Sequence, residues 1–118
     1  IQEQIAVIDK VPYKEQVAAL VEFVKDDGKA KKELETGKKQ YFDQDIAGLE
    51  LLLQKTPEMG KYGETFLKNR NERWIPVIEK AASAKPTFFA VGAGHLAGAD
   101  GVIALLRKAG YTVAPVQQ

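Results

Sequence analysis

The stretch "PTFFAVGAGHLAGADGVIALLRKAGYTVAPV", residues 86–116, restricts the possible folds more than any other part of the chain. Its opening, "TFFAVG", is apolar at every other residue and also between them, as in a strand covered on both faces of a parallel sheet. The next segment reads as a helix. Asp100 is placed to cap it, Arg107 and Lys108 complement its C-terminal dipole, and Gly110 supplies a left-handed stop. "YTVAPV" then forms a second strand. Strand, helix and strand with short joins predict a right-handed βαβ unit over residues 86–118, with both strands parallel. Two strands alone make no stable sheet, so further strands have to come from elsewhere in the protein or from another chain.

The first 85 residues read as helices. Ile1, Ile5 and Ile8 repeat at helical spacing, and Pro12 suits a first turn. Val17, Leu20, Val21 and Val24 form an i, i+3, i+4, i+7 stripe, which Asp27-Gly28 is expected to break. "KAKKELETGKKQ" fits a solvated helix face better than a basic interaction patch. Phe42, Ile46, Leu49 and Leu53 restart the stripe, with Asp43 as cap. Thr56-Pro57-Glu58 starts another helix, and Leu67, Trp74, Val77, Ile78 and Ala81 line one of its faces. Arg70 and Asn71 fall on that same face. Polar groups there are costly unless paired, so both should meet specific partners; the plainer alternative has Arg70 reaching solvent and Asn71 capping a neighbouring backbone group. Pro76, inside the pattern, predicts a kink or break.

The fold expected is therefore α/β (α+β) and helix-rich. About four to five helices precede a C-terminal βαβ unit with two parallel strands, as part of a larger α/β fold. Residues 1–118 form one part of a domain, helical over 1–85 and βαβ over 86–118. Lys+Arg 17 against Asp+Glu 16 leaves a net charge of +1, which gives no global attraction to nucleic acid. No apolar run approaches the roughly 20 residues that span a bilayer, so membrane insertion by this segment is not expected. Without cysteine there is no disulfide and no thiolate metal site.

His95, the single histidine, sits in a glycine-flanked loop after the first apolar run, with Gly92 and Gly94 before it. Dinucleotide binding fails, because no ribose-binding acid comes near the end of the second strand. One histidine cannot hold a metal either, so any other ligands must come from another part of the fold or another chain. The alternative is a histidine that closes a turn through a backbone hydrogen bond.

"FFAVGAGHLAGADGVIALLRKAGYTVAPV" resembles the carboxyl-terminal signature of the TraB/GumN family, which is similar to the Tiki proteases. "LKNRNERW" resembles that family's Arg-Asn helix motif at Arg70, Asn71 and Trp74, and "IQEQIAVID" the segment after its Glu-Thr motif. The resemblance implies a Gly-x-x-His motif at Gly92–His95, with His95 as ligand to a divalent metal ion of unspecified identity. It implies a second such motif and a glutamate in an amino-terminal half missing from this chain, which would be the fragment's partner, the isolated piece being inactive. The chemistry implied is metal-dependent hydrolysis of a peptide or protein substrate, the metal lowering a bound water's pKa toward about 7, with Arg70 and Asn71 supporting the ligands. Family habit implies an extracytoplasmic or membrane-tethered location. The alternative is a non-catalytic binding or regulatory module that keeps the fold. Exposed strand edges would favour homo-oligomers.

Overall fold

A computed structural model of the chain describes residues 5–6 and 9–116, the side chains of 27, 57 and 58 aside. Ile1 and Ile8, two of the three residues expected in a first helix, lie outside the described residues. The described residues divide into two compact units, one up to Gln44 and one from Asp45 onward.

The first unit contains two consecutive helices, α1 (Tyr13–Lys25) and α2 (Asp27–Phe42), joined at Asp26. The break falls at Asp26, one residue before the expected Asp27-Gly28 signal. Asp26 is where the carboxylate can act as a cap, accepting from the Lys29 amide at 3.1 Å, and Gly28 is absorbed into α2. The lysines of α2 are exposed, as a solvated face requires. None of the residues of α1 is buried.

The second unit contains α3 (Ile46–Gln54), α4 (Pro57–Gly63), α5 (Asn69–Ala84) and α6 (Val102–Lys108). Asp45, not Asp43, caps α3: its carboxylate accepts from the Gly48 amide at 2.8 Å, while Asp43 pairs with Lys39. Pro57 opens α4 as expected, but Thr56 Oγ1 donates backward to the Leu53 carbonyl at 2.8 Å instead of capping. Between α4 and α5 the chain makes a π-helical turn, Glu64–Lys68. Such a turn inserts a residue and rotates the succeeding helix by about 100° relative to an unbroken α-helix. α5 then runs without interruption through Pro76. Pro76 and Glu72 are both exposed, so water can take the carbonyl that proline leaves unbonded, and the predicted break does not occur.

The expected βαβ unit is absent. Only its helix forms, as α6; among the described residues there is no strand, and residues 86–92 and 111–116 are irregular. A run apolar on both faces becomes a strand only when a ladder partner and a cover on each side are supplied. These two segments do not pair, and Phe88 and Val116 are each 90% exposed. Gly110 nonetheless ends α6 with φ +94°, the left-handed stop read from the sequence. Asp100 does not cap that helix, whose N-cap is Gly101.

Buried side chains are few. Ile78 and Val102, on the packed helices α5 and α6, are the buried hydrophobics among the described residues, and Asn71 and His95 are buried with them. Val77, expected on the same inward face, is 64% exposed. A polar pair thus occupies the centre of the second unit, where satisfied hydrogen bonds decide whether it supports the fold or weakens it.

Candidate functional site

The site is built from one helix and one loop. After residue 92 the chain folds into a 3₁₀ turn, Ala93–His95, closed by the His95 amide on the Gly92 carbonyl at 2.9 Å. A second turn joins the Gly101 amide to the Gly98 carbonyl at 3.1 Å. Gly98 has φ +85°, a conformation that suits glycine. At Gly101 a Cβ would collide with the backbone carbonyl oxygens of Ala97 and Leu96. Of the two glycines assigned to the motif, Gly92 lies beside the imidazole and Gly94 lies against Leu53 of α3.

Asn71, in the first turn of α5, holds this loop. Its Nδ2 donates to the Asp100 carbonyl at 2.8 Å and, at the longer distance of 3.4 Å, to that of His95. Its Oδ1 lies 2.7 Å from His95 Nδ1. The two carbonyls fix the amide, because reversing it would set oxygen against oxygen. Oδ1 can only accept, so Nδ1 carries the ring proton and donates it. The Nε2 lone pair is therefore free, and Nε2 has no partner among the described residues. The sequence expectation that Asn71 meets specific partners holds; those partners are both a ring and the backbone.

The imidazole packs on Trp74, ring centroids 4.6 Å apart and planes at 50°. Arg70 also lies over the Trp74 ring, Cζ 5.0 Å from its centroid, and has no hydrogen-bond or ion-pair partner among the described residues. Sequence spacing placed Trp74 on this helix face but gave no sign that it would meet His95. Burial, and after it the Arg70 charge, hold the His95 pKa below its ordinary value of 6.5.

Linkage makes this testable. The folded ring stays neutral where the unfolded ring takes up a proton, so stability is full above about pH 6.5 and falls as the pH drops below it. Urea midpoints for the metal-free chain should decrease between about pH 7.5 and about pH 5.5. In His95→Gln that part of the decrease should vanish.

Beside the site is a cleft of about 430 Å³, lined by Leu53, Met59, Leu67, Glu50, Lys68 and Asp100 among others. Asn71 and Gly94 also line it, but His95 does not. Lys68 lies 3.6 Å from Glu64 and 4.0 Å from Asp100, so its charge is shared between two carboxylates. Glu50 and Lys68 carried no signal in the sequence beyond ordinary helix-surface residues.

A metal needs several donors. Among the described residues no three His, Cys, Asp or Glu side chains come together to hold one. A ligand imidazole needs a free ring nitrogen and a second nitrogen fixed by an acceptor, and His95 has both. The residues present fit one ligand of a metal centre.

An Arg-Asn helix turn thus clasps a glycine-flanked histidine loop. The TraB/PrgY/gumN family model matches residues 1–115, nearly the whole chain. The chain belongs to the TraB/PrgY/gumN family. No curated protein and no solved structure matches it significantly. The matched range includes both the Arg70–Asn71 turn and the His95 loop. No helix among the described residues is long and apolar enough to cross a membrane.

Proposed function

We propose that this TraB/PrgY/gumN chain contributes His95 as one imidazole ligand to a divalent-metal centre that hydrolyses peptide bonds. The remaining ligands come from outside the described residues. The observation that carries this reading is the Asn71 amide, which commits Nδ1 to donation and leaves Nε2 as the donor atom. Burial and Arg70 keep the ring neutral, the form in which a histidine binds metal. The metal, when bound, polarises the scissile carbonyl and acidifies water. The chain's own residues orient the donor: Asn71 sets the tautomer, Trp74 limits ring rotation, and the loop from Gly92 brings His95 under α5.

The test is the divalent-metal content of the protein isolated with every segment it carries in its cell. His95→Gln preserves volume and can still donate to Asn71 Oδ1, so it separates ligand loss from unfolding. The expected result is at least a roughly tenfold loss of metal affinity, together with loss of chelator-sensitive peptide cleavage. Unchanged metal content would leave His95 as a clip between loop and helix, and the chain as a binding or regulatory module.

A further inference from the structure

Arg70 is half-buried, its guanidinium lies over the Trp74 ring, and its N–H donors have no partner among the described residues. Lys68, two residues before it, lies near Glu64 and Asp100, and Arg107 donates to the Val113 carbonyl at 2.7 Å. Arg70 has only the Trp74 ring, at 5.0 Å, and no acceptor among the described residues. The ring holds the guanidinium by its charge, and none of the five N–H donors has an acceptor among the described residues. The ring contact also keeps water from one side of the guanidinium and restricts the side chain before a ligand arrives.

We infer that Arg70, lying over the Trp74 ring beside His95, is a binding site for a monoanionic carboxylate. The planar fork matches the two oxygens of a carboxylate. Of the charged groups, Arg70 is the one whose field acts on the neighbouring His95 ring. A phosphate dianion would leave one charge uncompensated, whereas a carboxylate balances it. This site is separate from the metal reading, since it needs neither a metal nor the Nε2 lone pair.

Trp74 is the single tryptophan of the chain, so its fluorescence reports on this site directly. The intact chain is titrated with N-acetylglycine in metal-free buffer at constant ionic strength, alongside the neutral N-acetylglycinamide and inorganic phosphate. A saturable change in Trp74 emission is expected with N-acetylglycine, at millimolar affinity. The amide should give none, and phosphate should bind more weakly. Arg70→Gln should lose about tenfold or more in affinity. Arg70→Lys keeps the charge but not the fork, and should fall between the two. Circular dichroism checks that both variants are folded. A linear, non-saturating change, an equal response to the amide, tighter phosphate binding, or affinity unaltered in both variants overturns the proposal.

Discussion

Asn71→Ala is expected to lower the free energy of unfolding of the second unit by about 3 kcal/mol. The side chain is 2% exposed and serves three groups: the imidazole N–H, the Asp100 carbonyl at 2.8 Å and, more weakly, the His95 carbonyl. Truncation leaves the imidazole N–H buried without a partner, at about 1–3 kcal/mol, and removes the bond to the partly buried Asp100 carbonyl, at about 1 kcal/mol. Little apolar burial compensates, since Ile78 and Val102 are the buried hydrophobics among the described residues. Thermal denaturation should show a midpoint lower by roughly 15 °C or more. Asn71→Asp sharpens the test. It keeps an acceptor for His95 but sets a carboxylate against the Asp100 carbonyl. It should be destabilised above pH 7 and recover part of the loss as His95 protonates. A neutral effect of Asn71→Ala would mean that the amide does not clasp the loop to α5.

Gly101→Ala is the second large effect, and its cause is steric. The added carbon would sit against the carbonyl oxygens of Ala97 and Leu96, which are backbone and cannot swing aside as a flexible side chain would. The chain from Gly98 to Val102 must shift. Val102 is buried at 6% exposure, and the neighbouring Asp100 carbonyl is an Asn71 acceptor, so the disturbance reaches both the core and the site. A loss of about 2–3 kcal/mol is expected from urea unfolding. Gly60→Ala is the matched control: it lies in α4, and nothing stands within 4 Å of where its Cβ would be. That substitution should be neutral or stabilise by up to about 1 kcal/mol. Equal behaviour of the two variants would contradict the close approach at residue 101.

The features legible in the sequence were those set by neighbouring residues. Gly110 stops α6 because a left-handed residue is needed just past a helix end, a requirement confined to a few bonds. Asn71 stood out because a polar group on an apolar helix face demands partners wherever the helix packs. Arg70, Asn71 and His95 also carried the family resemblance, and the family match spans them. The cap of α3 is Asp45 where the sequence suggested Asp43, because several aspartates near a helix start can serve, and only the backbone dihedrals choose among them.

Other features depended on tertiary structure. Composition marks residues 87–92 as strand-forming, but a strand is a relation between two segments, and neither those residues nor 111–116 find a ladder partner. The π turn at Glu64–Lys68 left no periodic trace, because it displaces a helix register by a single residue. The meeting of His95 with Trp74 and Asn71 joins residues far apart in sequence. Sequence by itself determined where α6 would stop and which helix face carried a polar group in need of partners. The tertiary structure decided which ring nitrogen carries the proton and which is left free, since that depends on three groups converging on one amide.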